Sequence, residues 1–228
     1  MTMKSGLAGI VVAVLACGMA QAGGLDLAGV GGRFTVKVTS LKEARFKATT
    51  RQQFDFSCGS AALATLLTHH YARPVSEQAV FEAMYAQGDQ AKIRREGFSL
   101  LDMKNYLKAQ GFEADGFDAP LQQLQASGLP AIVLIVENGY HHFVVLKGLH
   151  QGRVLLGDPS RGTRAMSLVD FERVWVDRLL FVIHNQQHLA RFNQAQDWQA
   201  APRAPLSAAL YPDTAAGVSF NKLGPGDF

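Results

Sequence analysis

Cysteine is scarce in this chain: 228 residues hold two, Cys17 and Cys58. Residues 1–22 read as a secretory signal peptide. Lys4 gives the positive start, Leu7 to Cys17 is an apolar run too short to span a bilayer, and Ala20-Gln21-Ala22 is a small-x-small cleavage site. Cleavage there removes Cys17. A lipoprotein cut ahead of Cys17 fits less well, because Val14-Leu15-Ala16 carries a bulky Leu15. Cys58 is then the only thiol of an exported protein, and it has no internal partner for a disulfide. Long apolar runs are also missing, so no transmembrane span is expected. Charge excess is missing too. The formal net charge of +3 falls to about +2 once Lys4 is removed, and no basic stripe interleaves with aromatics, so nucleic acid is not an expected partner. Arg94-Arg95 reads as a solvated surface pair. His69-His70 lies on a helix whose adjacent side chains diverge, with no acidic residue at ligand spacing. His184 and His188 fall where a strand meets the tail. No metal and no cofactor is expected. No internal repeat occurs.

About 206 residues remain after processing, the size of one domain that buries a core without disulfides. The chain divides into the signal (1–22), an N-terminal segment (23–50), a folded domain (51–189) and a low-order tail (190–228) carrying Pro202, Pro205, Pro212 and Pro225. Gly23 to Gly32 reads as flexible, and Phe34 to Val38 alternates like a short strand. Helices are expected over Ser57–Tyr71, Ser76–Ala86, Ser99–Gln110 and Pro120–Ala126, each of the first three capped by its serine, with Gly111 stopping the third. The period then changes. Strands are expected at Ala131–Val136, His142–Leu146, Arg153–Leu156 and Leu179–Ile183, with a helix over Leu168–Val174. Helices followed by antiparallel strands make an α+β fold. Phe171 and Trp175 should pack under the last strand. Phe54 and Phe56 read first as core aromatics and second as a cleft wall.

Cys58 stands at a helix start, where unpaired N–H groups and the helix dipole stabilise negative charge on a sulfur or an oxyanion. An inert packed cysteine is the commoner use of the residue, so the neighbours decide. Gly59 reads as room for a substrate. A nucleophilic cysteine needs a base, and His141 and His142 open a strand on opposite faces. The following strand ends at Asp158-Pro159. A hairpin centred on His150 sets His142 opposite Asp158, with Cβ atoms roughly 4.5–5.5 Å apart; a slip of one residue would pair Asp158 with His141 or Phe143 instead. Gln52, or its neighbour Gln53, can donate a side-chain amide to an oxyanion beside the Cys58 N–H. Singly, each residue has an ordinary explanation: an edge histidine, an Asp-Pro turn, a solvated glutamine.

Together, Gln52…Cys58-Gly59, His142-Phe143-Val144-Val145 and Asp158-Pro159 resemble the bacteriocin-processing, double-glycine cysteine peptidases over roughly Arg51 to Asn185. The resemblance implies a papain-like fold, N-terminal helices packed on an antiparallel sheet. It also implies Cys58 as nucleophile, His142 as general base, Asp158 as its orienting carboxylate and Gln52 in the oxyanion hole. The chain departs from that family's usual form: it carries an export signal, no transporter domain, and Ser57 where Asp often precedes Cys-Gly. Asp55 to Gly59, Gly97 to Leu100 and Gly139 to Val145 are similar to the stand-alone, secreted members encoded with functional-amyloid secretion systems.

The expected function is a periplasmic cysteine endopeptidase acting on a peptide or protein, with secreted amyloid or export components as partners. One rival is a non-catalytic peptide-binding or scaffolding member of a secretion complex; the other is an acyl- or peptidyl-transferase using the same residues.

Overall fold

The structure, a computed structural model, describes residues 39–202 and the backbone of two short strands ahead of them. The signal at 1–22 and the tail from 203 onward lie outside the described residues. β1 (Gly24–Gly29) pairs antiparallel with β2 (Gly32–Lys37). The Gly-rich stretch read as flexible is therefore largely a strand, and the strand expected over Phe34 to Val38 is described as far as Lys37, Val38 lying outside the described residues.

The second unit, from Leu41 onward, is built on a six-stranded sheet in the order β3-β8-β4-β5-β6-β7, with antiparallel neighbours throughout. The strands are β3 (Ala114–Asp118), β4 (Ala131–Glu137), β5 (Tyr140–His150), β6 (Arg153–Asp158), β7 (Gly162–Ser167) and β8 (Leu179–Ile183). Both faces of the sheet are covered, which explains why Ala131 to Val136 is continuously apolar rather than alternating. On one face Ile132, Val145, Phe181 and Ile183 join a core with Leu63, Leu66, Met84 and Leu107. On the other, Val133, Ile135, Val144, Leu146 and Leu156 meet Leu121, Leu124, Phe171 and Trp175. Trp175 stacks on Phe171 with centroids 5.3 Å apart and donates its indole N–H to Leu179 O.

The first face is held by α2 (Cys58–Thr65), continued as a π-helical segment over Leu66–His70, and by α3 (Glu77–Gln87) and α5 (Leu100–Ala109). Every residue of α2 is buried, as befits a helix of Gly, Ser and Ala inserted between layers. Ser76 and Ser99 cap as expected, Ser99 in a capping box with Asp102. Ser57 occupies the cap position of α2 but does not cap. Its hydroxyl turns back to accept from Phe54 N and donate to Phe54 O, which tightens the turn before Cys58. Gly59 serves packing rather than substrate access: a Cβ there would sit 2.8 Å from Met103 Cε and 3.1 Å from Phe98 Cβ. A methyl forced in would cost about 1–3 kcal/mol.

Short elements complete the unit: α1 (Leu41–Phe46), α4 (Gln90–Glu96), α6 (Leu121–Ser127), α7 (Leu168–Val174) and α8 (Ala195–Gln199). Residues 190–202, expected within a low-order tail, are docked here. Asp197 of α8 is buried and ion-paired, and Trp198 donates to Asn193 Oδ1. No helix among the described residues is long and apolar enough to cross a membrane.

Candidate active site

Cys58 is the first residue of α2, free and mostly buried, and it lines a cleft of about 590 Å³ together with Phe56, Phe98, Leu134, Tyr140 and Phe143. The helix delivers the sulfur where the first-turn N–H groups have no acceptor within the helix. Phe56 forms part of the cleft wall and is backed by an aromatic cluster: Phe54 stacks on it at 5.8 Å, and Phe81 meets Phe54, Phe56 and Phe98 at 5.4, 5.9 and 5.4 Å.

His142 lies on β5 and Asp158 closes β6. His142 Nε2 and Asp158 Oδ1 are 2.8 Å apart, with both side chains buried. The pair forms, but not by the expected register. The hairpin turns on two residues, Gln151 (φ +48°) and Gly152 (φ +70°), so that His150 faces Arg153, Leu149 faces Val154 and Gly148 faces Leu155. Continued unbroken, that ladder would send Asp158 to the face opposite His142. A β-bulge intervenes. Lys147 is left over, Leu146 faces Leu156 and Val145 faces Gly157. Because side chains alternate with period two, one extra residue inverts the relation of the strands beyond it. Asp158 thereby arrives level with Val144, on the face of His142 and one diagonal step away, within reach of an imidazole. His141 faces the other way and lines the cleft.

Asp158 is heavily held. Its Oδ1 also accepts from Ser160 N, Ser160 Oγ and Arg161 N, at 2.9, 2.7 and 3.2 Å, and Oδ2 accepts from Arg164 Nε at 2.9 Å. Burial alone would raise its pKa; the His142 bond and charge, then Ser160 and Arg164, overcome that and hold it well below the usual carboxylate range. For His142, burial would lower the pKa, but the Asp158 hydrogen bond, the Cys58 side chain and the Asp158 charge together raise it to about 9. The other ring nitrogen, Nδ1, is buried with no hydrogen bond of ordinary geometry.

Gln52 joins the site through the backbone. Its N–H donates to Pro159 O at 3.1 Å, next to Asp158. Its side-chain nitrogen donates to Phe54 O at 3.1 Å, leaving Oε1 buried and unpartnered. Gln53 is exposed. Tyr140 completes the surround: its hydroxyl donates to Asp55 O at 2.7 Å and its ring lies 5.7 Å from that of His142.

Arg164 and Glu137 escaped the sequence reading. The Arg164 guanidinium bridges Asp158 to Glu137, whose carboxylate also receives Arg161. Arg164 sits on β7, whose polar sequence Gly-Thr-Arg-Ala-Met-Ser hides its strand character; the one available signal was two arginines just past Asp158. His69-His70, weighed as a metal site, shows something else. His70 is buried with Nδ1 2.6 Å from Arg191 O, and among the described residues no group of three His, Cys, Asp or Glu gathers that could hold a metal ion.

This architecture is that of the papain-like cysteine peptidases. The peptidase domain of Streptococcus ComA, a bifunctional ABC transporter involved in quorum sensing, shares the fold with a TM-score of 0.50 at 23% identity, covering 60% of this chain and 97% of that one. Sequence narrows the class. The model of the peptidase C39 family matches residues 47–187. The probable functional amyloid protease FapD of Pseudomonas aeruginosa is 41% identical over 156 residues, 68% of this chain and 69% of that protein. Its counterpart in Pseudomonas fluorescens is 38% identical over 164 residues, 71% and 73% of the two chains. The chain belongs to the peptidase C39 family and is a cysteine peptidase.

Proposed function

We propose that this chain is a periplasmic endopeptidase of a functional-amyloid secretion system, with Cys58 as nucleophile, His142 as general base and acid, Asp158 as orienting carboxylate and Gln52 as oxyanion donor. The observation that carries the reading is the His142 ring. One nitrogen is committed to Asp158, and the other is buried, unpaired and under the influence of Cys58. A ring held in that way has one task left, to exchange a proton with the sulfur.

The chemistry follows. His142 Nδ1 holds the proton it has taken from the Cys58 thiol, and the resulting thiolate attacks the carbonyl carbon of a peptide bond. The oxygen gains the charge and is met by the first-turn N–H of α2 and, after its amide turns from Phe54 O, by Gln52 Nε2. The tetrahedral adduct collapses, the C–N bond breaks, and His142 returns the proton to the leaving amine. Water, deprotonated by the same nitrogen, then releases the acyl-enzyme. The substrate is an extended peptide, with small residues near the cut if the habit of the double-glycine peptidases persists, and the similarity to FapD proteases supports amyloid subunits or export components as the source of that peptide.

Cys58→Ala should reduce cleavage of an amyloid-subunit precursor to below about a thousandth of the parent rate while leaving circular dichroism unchanged. Retained cleavage by the folded variant would refute the assignment. Release of cleaved product into an osmotic-shock fraction tests the compartment.

A further inference from the structure

Residues 187–201 form an arm that starts where the family match ends, at 187, and crosses the sheet at the bulge of β5. We infer that this arm is a positioning element for the His142–Asp158 pair, acting through an ion pair between Asp197 and Lys147, the extra residue of that bulge. The inference rests on the site assignment proposed above.

Lys147 is wholly buried, yet it carries a charge into the core. Its ammonium pairs with Asp197 Oδ2 at 3.0 Å and donates to Ala48 O at 2.7 Å, with Thr163 Oγ1 at 3.5 Å. Its main chain is held from the same side, since Lys147 O accepts from Asn193 N at 2.8 Å. Asn193 also donates its side-chain amide to Leu149 O at 3.0 Å. The arm thus grips β5 at the bulge and two residues beyond it. Its root is fastened to the far end of the nucleophile helix, where Arg191 N donates to His70 O at 2.9 Å and Arg191 O meets His70 Nδ1.

The bulge sets the site's geometry, because it decides which face Asp158 occupies. The Lys147 stem passes over Gly157, the residue before Asp158: a Cβ at Gly157 would lie 3.0 Å from Lys147 Cδ. A bulge leaves its extra residue outside the ladder, and a regular two-residue hairpin is the competing register. What holds Lys147 out of the ladder is its side-chain destination, and a buried ammonium keeps that destination only while its counter-ion is present. The Ala48 carbonyl belongs to the turn after α1, four residues ahead of Gln52, so the same ammonium also steadies the donor side of the site.

The test uses the full chain carrying Asp197→Asn, with Asp197→Glu as the conservative control and Lys147→Met/Asp197→Leu as a double variant that leaves no unpaired buried charge. Cys58→Ala and His142→Ala are assayed in parallel. Expected for Asp197→Asn is a kcat lowered about 10- to 100-fold with KM nearly unchanged, as for a misplaced catalytic group, and an alkaline limb of the kcat profile moved to lower pH. Asp197→Glu should recover most of the rate. If Asp197→Asn does not fold, the double variant is read in its place and should show the same two changes. A folded variant that loses only melting temperature, with parental kcat and alkaline limb, overturns the positioning role. Activity persisting in Cys58→Ala or His142→Ala overturns the site assignment instead.

Discussion

Two buried histidines stand at opposite poles of the same layered core, and they behave in opposite ways. His142, paired with Asp158, has its pKa raised to about 9; His70, under the arm, has its pKa lowered to about 3. Burial pushes both down. At His70 nothing outweighs it: the nearby Lys147 ammonium adds to the fall, and the Arg191 carbonyl only softens it. At His142 the carboxylate of Asp158 and the Cys58 side chain reverse the sign. The same ring is thus held neutral at one pole and favoured in its charged form at the other, and the charge placed beside it makes the difference.

The comparison breaks most severely at Asp158. Asp158→Asn removes what raises the His142 pKa and should lower kcat/KM by about 10²-fold or more. The alkaline limb of its pH profile should move from near 9 toward the ordinary histidine value of 6.5; a limb that stays put would show that another group controls it. Gln52→Ala should lower kcat by about 10²-fold without moving that limb, since its side chain bonds to neither His142 nor Asp158. Pre-steady-state acylation rates across pH would check both points.

Stability sharpens the contrast more gently. His142 binds its proton more tightly in the folded chain, so its contribution is present below pH 6.5 and lost as pH rises through about 9. His70 binds its proton less tightly when folded, so its contribution is present above pH 6.5 and lost as pH falls toward about 3. Urea midpoints should peak near pH 6.5. His70→Asn, which keeps a donor for the Arg191 carbonyl, should flatten the acid side of that peak and leave the alkaline side unchanged. Equal slopes in parent and variant would mean that His70 is charged in the fold.

Much of this was legible in the sequence. Ser76 and Ser99 announced their helices because a capping side chain acts locally, and the apolar strands from Ala131 onward announced themselves by length. Elements that rest on tertiary contacts were silent. β7 is polar and short, α4 is seven residues capped by Asp89, and β3 carries Gly116 between two aspartates. The His142–Asp158 pair was reached by a register that does not exist. Gln151, an uncommon residue for positive φ, concealed a two-residue turn, and Lys147 concealed a bulge that returns the strands to the expected parity. The turn shifts the register by three residues and the bulge takes one back, so the parity is restored although Asp158 stands level with Val144 rather than His142. Nothing local marks a lysine as buried, so the arm and its ion pair were visible only in three dimensions.

The sheet has two outer strands, and one of them, β3, runs Ala-Asp-Gly-Phe-Asp, with Asp115 engaged by Lys104 and His184. Five residues bearing two carboxylates make a poor template for another backbone to extend. An enzyme proposed to work among polypeptides that stack edge to edge into fibrils would otherwise risk being recruited as one more layer, and this charged border works against that recruitment.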